Sequence, residues 1–407
     1  MKLPALLALL LALSCHAETP EEARLPQIAA KLPSALTTFA SLQADFSRDW
    51  AASRDALEAQ AVVSRYGKQL WQAARARLQT QAELDDRPLY WTRLALTRTV
   101  RDSKPAFPIF PADREAALLT LEQTSRGMDD IHFDADRKIK RILLTGFDPF
   151  RLDLNIDQSN PSGVAAMLLD GTELVMNGQK ARIETALFPV RYADFDAGIV
   201  EHFLSPWLTT QQPAAQDWLE AARQARGQSV PSPKGQPQVD MVVTVSMGRE
   251  GFDLERFPGR RRSALAPDNL GVRAGGSREQ PVIPQLAGRP LDGAEFVEFS
   301  LPAAAMQRVP GPYKVIDNRW VTVVPNTRLA AGGLAALYGK TAVEGGGGGY
   351  LSNEISYRAV RLRDQLGLQT LPVGHIHTPK IEGYDAAQLR AIAQQLRALL
   401  EAAMASR

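Results

Sequence analysis

Cysteine is almost missing from this chain: Cys15 is the only one among 407 residues. One sulfur cannot close an intramolecular disulfide, and past residue 15 there is no thiolate to act as nucleophile or metal ligand. An oxidising compartment would therefore do the folded body no harm. Histidine is scarce as well. The five are His16, His132, His202, His375 and His377, and no second His or Cys cluster accompanies the last pair. Nothing in the sequence calls for a metal or an organic cofactor. A charge excess is also lacking: 47 Lys and Arg against 45 Asp and Glu leave a formal +2. That balance gives no electrostatic case for nucleic acid as a partner. The one dense basic run, Arg260-Arg261-Arg262, reads as a solvated turn, with anion binding as the alternative. Beyond Leu13 no apolar run approaches the ~20 residues of a membrane-spanning helix.

The first residues are MKLPALLALLLALSCHAETP. Lys2 gives a positive start and Leu3 to Leu13 an apolar run, short for a bilayer core of roughly 30 Å, so residues 1–17 read as a signal peptide cut after Ala17. Two alternatives stay open: lipid attachment at Cys15 as a membrane tether, and a buried N-terminal helix. Export to the periplasm or beyond is the expectation. Residues 18–130 form a helical accessory region, and residues 131–407 an α/β domain.

In the accessory region Leu36, Phe39, Leu42, Phe46 and Trp50 recur at helical spacing. Leu57, Val62, Tyr66, Leu70 and Trp71 continue the pattern less regularly. Pro88 and the stretch 105–111 interrupt it. The aromatics are most simply contacts between helices. At Ile139 the pattern changes. Residues 139–144 read as a strand, followed by a loop over 145–158. Asn160 then caps a helix with Pro161 in its first turn, and Val164, Met167 and Leu168 form its apolar face. Further strands are expected at 186–190, 239–245, 293–299, 313–316 and 320–324. Residues 196–226 read as largely helical, and 227–238 as a loop. Leu389, Ile392, Leu396, Leu399 and Leu400 mark a final helix. Strands separated by helices point to an α/β three-layer αβα sandwich with an additional N-terminal helical region.

Acyl transfer needs a nucleophile, a base and donors for a developing oxyanion. Ser352 follows five glycines, Gly345 to Gly349, and precedes a segment able to start a helix, whose positive end can stabilise an anion. A flexible loop explains the same glycines. His375 and His377 share a face if their segment is extended. His377 is then a candidate proton acceptor, while His375 suits a structural hydrogen-bonding role. Glu255, in GREGFDLERF, reads either as an ordinary salt-bridge partner or as the carboxylate that orients a histidine ring.

Taken in order, these segments resemble pyroglutamyl peptidase I, also called pyrrolidone-carboxylate peptidase, over roughly residues 139 to 400. TGFDPF resembles the family's TGFEPF, which matches Phe147 and Phe150 to the aromatics that enclose the pyrrolidone ring. Asn160-Pro161-Ser162 matches its NPS segment. Gly248-Arg249 and Glu255-Arg256 match its glycine-arginine and glutamate-arginine elements at the same spacing. YLSNEISY resembles FVCNHVMY and puts Ser352 at the cysteine position. GHIHTP resembles GFIHVP and gives the base role to His377, with His375 at an aromatic position. The family uses cysteine, histidine and glutamate to remove an N-terminal pyroglutamate. In this chain Arg151-Leu152 replaces a glycine pair, the loop before Asn160 is longer, and Glu354 replaces a histidine. The serine matters most, because a thiol ionises near pH ~8.5 whereas a serine hydroxyl must lose its proton during attack.

The resemblance implies an amide hydrolase with Ser352 as nucleophile, His377 as base and Glu255 as orienting acid. Phe147 and Phe150 would enclose the substrate's ring, Asn160 would help to hold the loop or the ligand, and backbone N–H groups at Gly146 or Gly349 would face the oxyanion. The implied partner is a small acyl-amide or an N-terminally blocked peptide. A catalytically inactive periplasmic binding or scaffold protein on the same fold is the alternative, its N-terminal helices then serving as a partner surface. Relatives in the family can form homo-oligomers.

Overall fold

The computed structural model describes residues 18–80, 83–209 and 237–406. The leader-like segment 1–17, and most of what the sequence suggests for 209–238, lie outside these residues. The longer helices are α1 (Ala40–Ala52), α2 (Ala56–Thr80), α3 (Arg87–Asp102), α4 (Pro111–Thr124), α5 (Pro161–Leu169), α6 (Ile199–Leu208), α7 (Leu351–Gln365) and α8 (Ala386–Ala405). The strands are β1 (Lys140–Phe147), β2 (Glu173–Met176), β3 (Gln179–Phe188), β4 (Met241–Met247), β5 (Phe252–Glu255), β6 (Gln285–Leu286), β7 (Arg289–Pro290), β8 (Val315–Asn318), β9 (Trp320–Val323), β10 (Thr327–Ala330), β11 (Ala342–Glu344) and β12 (Val373–Thr378).

The main sheet has the order β2-β3-β1-β4-β12-β5-β8. Strands β3, β1, β4 and β12 run parallel, whereas β2 pairs antiparallel with β3 and β5 antiparallel with β12. Helices cover it in two groups. Helix α5 lies on β1, β3 and β4 and against α8, while α7 lies on β4 and β12 and against α6. Strand β1 is buried from Arg141 to Phe147, as a strand covered on both faces must be. This is the expected α/β sandwich with N-terminal helices before it.

Several local expectations need correction. Residues 293–299 form no strand and contribute only an isolated bridge between Gly259 and Phe296. Strand β5 went unanticipated, and β12 was considered only conditionally as an extended segment: FDLE and VGHIHT carry too many polar residues for an apolar run, yet every residue in both is buried. Pro88 and Pro111 stand in the first turns of α3 and α4, where a missing N–H costs nothing. The run Arg260-Arg261-Arg262 is not a solvated turn. Arg260 and Arg261 both pair with Glu295, and the buried Arg262 donates to Glu354 at 2.6 and 2.9 Å.

The helical region and the sheet share one continuous apolar core, in which Trp50 and Trp71 of the helices join Leu143 and Val243 of the sheet. Polar contacts lock the same junction. The buried Arg93 of α3 donates through Nη1 to both oxygens of Asp148 at 3.0 Å, and Arg126 donates to Asp148 at 2.5 Å. Asp148 lies in the turn directly after β1. A buried carboxylate is tolerated only when paired and hydrogen-bonded, and the helical region supplies both cations. Asp86, just before α3, accepts from Ser159 Oγ at 2.6 Å and from the Asn160 amide at 2.9 Å.

Burial, helped by the charge of Asp85, pushes the Asp86 carboxyl up to about 7. In the unfolded chain this carboxyl ionises near pH ~4. Between these values the folded chain holds the extra proton, so stability is full at low pH and falls as pH rises through 7. Asp86→Asn removes that slope. Urea denaturation of both proteins is expected to show the variant gaining on the parent steadily from pH 4 to pH 7, with the gain levelling above pH 8.

Candidate active site

Strand register brings the polar groups together. On β12, His377 stands opposite Asp253 of β5, and on the other side of β5, Glu255 stands opposite Asn318 of β8. His377 Nδ1 and Glu255 Oε1 are 2.5 Å apart. Glu255 is fully buried, so both oxygens need donors. The second oxygen, Oε2, accepts from Asn318 Nδ2 at 2.7 Å, and the same amide donates to the Gly346 carbonyl at 3.1 Å. A donor at Nδ1 leaves Nε2 as the proton-accepting nitrogen of a neutral ring. That nitrogen has no hydrogen-bond partner among the described residues.

His375 is different. Thr244 Oγ1 and Ser246 Oγ each lie 2.8 Å from one of its ring nitrogens. Burial, with the neighbouring His377, holds it well below the ordinary histidine range. It meets the His377 ring edge-on at 4.9 Å and acts as a neutral spacer beneath it.

Ser352 is half-buried in the first turn of α7, where helix N–H groups have no intrahelical acceptor. Asn353 fixes that end, accepting from the Gly259 N–H at 2.9 Å and donating to its carbonyl at 2.7 Å. Glu354, Arg262, Arg358 and Glu201 form a buried ion network that ties α7 to α6. The glycine run is shaped by close approach: a Cβ on Gly346 would stand 2.6 Å from Glu255 Oε2. The Ser352 hydroxyl donates to the Gly347 carbonyl at 3.1 Å. No hydrogen bond joins it to His377.

Ser352 and His377 both line an open cavity of about 610 Å³, inside the ~300–1,000 Å³ range of small-molecule sites. Phe147, Phe150, Leu154, Leu265 and Tyr350 supply apolar wall. Asn160 lines it too, but its amide is already engaged: Oδ1 accepts from the Ser162 N–H and Nδ2 donates to the Asp148 carbonyl. Asn160 therefore holds the loop. Gly146 and Gly349 do not line the cavity. A Cβ on Gly146 would meet the Ser162 carbonyl at 2.4 Å, so that glycine lets α5 approach β1. The Gly349 carbonyl accepts from Ser263 and Ala264. Gly248 and Gly347 line the cavity instead.

Two loops form the mouth, and the helical region holds both. Leu152 and Ile156 of the first loop are buried with Leu25, Ile28, Tyr90 and Trp91. Asn269 of the second accepts from Arg24 at 2.6 Å through its carbonyl, and its side chain donates to the Pro149 carbonyl at 2.8 Å. Sequence reasoning missed Asn318. The strand expected at 313–316 ends two residues short of it, and its neighbour β5 was not recognised.

Residues 11–122 match the family model of the PA0049 N-terminal domain, and residues 141–228 and 313–382 that of the PA0049 C-terminal domain. The chain is 28% identical over 398 residues to the uncharacterized protein PA0049 of Pseudomonas aeruginosa, covering 79% of this chain and 70% of that protein. A mutant pyrrolidone carboxyl peptidase from Pyrococcus furiosus aligns at 16% identity and TM-score 0.41, covering 65% of this chain and 99% of that one. The enzyme solved together with its cysteine-free mutant aligns at 17% identity and TM-score 0.41, with the same coverage.

Two substitutions test the carboxylate's setting. Gly346→Ala forces a methyl group against Glu255, and Asn318→Leu removes the donor to its second oxygen. Each is expected to lower stability by roughly 1–3 kcal/mol in urea denaturation. Each should also shift or abolish the far-downfield ring N–H proton resonance of His377. A resonance unmoved in both would show that the ring takes its orientation from elsewhere.

Proposed function

We propose that the chain is an amide hydrolase in which Ser352 is the nucleophile, His377 the base and Glu255 the orienting acid. The observation that carries this reading is the 2.5 Å contact between His377 and a fully buried Glu255, on the wall of the cavity that also holds Ser352. Ser352 Oγ attacks the substrate carbonyl while Nε2 of His377 takes its proton. The tetrahedral intermediate collapses, the C–N bond breaks, and His377 returns the proton to the leaving amine. Water then repeats the sequence on the acyl-serine ester. Glu255 keeps the proton of the neutral ring on Nδ1 and stabilises the imidazolium as it forms. The helix N–H groups of Leu351 and Ser352, two residues of the cavity lining, are the candidate oxyanion donors. For Ser352 to reach His377, its hydroxyl must leave the Gly347 carbonyl. Catalytic contacts are often looser without substrate.

The substrate class is a small acyl amide, including pyroglutamyl amides, with the acyl group against Phe147 and Phe150. That specificity rests on the sequence resemblance together with the apolar wall. One observation favours a second reading, a catalytically silent binding protein: the hydroxyl is bonded to a carbonyl and not to the base.

Assay of the purified protein on pyroglutamyl amides and a broader acyl-amide panel separates the two. Turnover is expected to be slow and to fall by roughly 10³-fold or more in Ser352→Ala. Silence of the parent on the whole panel favours binding. Activity restored only by Ser352→Cys means that the pocket persists around a disabled nucleophile. Activity unchanged by alanine removes Ser352 from the mechanism.

A further inference from the structure

We infer that the cavity takes an anionic substrate, an acyl amide bearing a carboxylate, and that Arg151 and Arg273 select it. This deepens, and rests on, the reading of the cavity as an acyl-amide site.

Three arginines line the cavity, Arg151, Arg249 and Arg273, against one carboxylate, Asp153. Arg249 is already paired, with Asp253 at 3.1 Å. Among the described residues, no carboxylate lies within 4 Å of the Arg151 or Arg273 guanidinium. Arg273 spends one N–H on the Leu265 carbonyl at 2.6 Å. That bond anchors the guanidinium and leaves most of its five donors free.

Arg151 is the more telling residue. Its φ is +61°, a left-handed conformation that an L side chain adopts at a cost and glycine adopts freely. The sequence resemblance places a glycine pair at this point. In this chain the position is left-handed and carries a guanidinium. The turn is fixed: the amides of Leu154 and Asn155 both donate to the Arg151 carbonyl at 3.0 Å, and Leu152 is buried under the N-terminal helices. An arginine carried on a strained, braced turn at the cavity wall is a built feature of the site.

The rest of the wall suits the other half of such a ligand. Phe147, Phe150, Leu154 and Leu265 offer apolar surface for the acyl group. A guanidinium recognises a carboxylate through two parallel N–H···O bonds, which adds direction to charge. Arg151 and Arg273 are both exposed, so water and salt screen them and the selectivity is modest, about tenfold.

The test uses Ser352→Ala protein, which cannot attack its ligand, and titration calorimetry with two ligands. Pyroglutamyl-alanine carries a carboxylate; pyroglutamyl-alaninamide shares its ring and peptide bond but is neutral. The acid is expected to bind about tenfold more tightly at low ionic strength. The gap should narrow as salt is added. Arg151→Gln and Arg273→Gln should each narrow it, and together close it, with thermal melts confirming that the variants fold. Equal affinity, a preference for the amide, no binding of either ligand, or a gap indifferent to both arginines would overturn the inference. Failure of this inference and failure of the hydrolase reading are distinguishable. Acid-selective binding without turnover in the parent sinks hydrolysis alone, whereas turnover without acid preference sinks this inference alone.

Discussion

A carboxylate buried without water must have a donor at each oxygen, and Glu255 of β5 meets that demand with one group from each neighbouring strand, β12 and β8. His377 faces one oxygen and Asn318 donates to the other, while Gly346 passes so close that no side chain fits at its Cα. The order β12-β5-β8 is a pairing pattern of the backbone, but its chemical effect is to line up histidine, glutamate and asparagine side by side. Leaving one oxygen unpaired would cost more than the hydrogen bond itself contributes when made. Gly346 packs against Glu255, while Gly345 and Gly347 pack against Asn353 and Gly349 against Ser263.

The N-terminal helices extend the same logic outward. They are joined to the sheet through a common apolar core, and their cations balance Asp148 in the turn that follows β1. From that anchor they brace the loop that carries Phe150, Arg151 and Leu154, and they hold Asn269 of the facing loop. The mouth of the cavity is therefore shaped by residues that contribute nothing to the dyad. Leu152 plugs into the helical region, and Arg151 beside it lines the cavity.

Much of this was legible in the chain itself. The strand leading into Gly146, the Asn160 cap with Pro161 in the next turn, and the stripe from Leu389 to Leu400 rest on local patterns that tertiary context did not override. The pairing of Glu255 with His377 was expected from motif order, though the sequence separates them by more than a hundred residues. What stayed hidden depends on neighbours in space. Strands β5 and β12 carry acids and histidines, so they look polar until their partners are known. Asn318 gains meaning only from standing opposite Glu255. The arginine run from 260 to 262 looks solvated until Glu295 and Glu354 are brought to it. The resemblance put the N–H groups of Gly146 or Gly349 at an oxyanion, but the group that approaches each is another part of the fold.

The central claim is that Ser352 is a nucleophile activated by His377 and Glu255. A fluorophosphonate that modifies activated serines, followed by intact mass and peptide mapping, tests it without knowledge of the substrate. The account predicts a single adduct, on Ser352, that is lost in His377→Ala and slowed in Glu255→Gln. An unmodified protein, or an adduct on Ser352 that forms equally fast without His377, would contradict it.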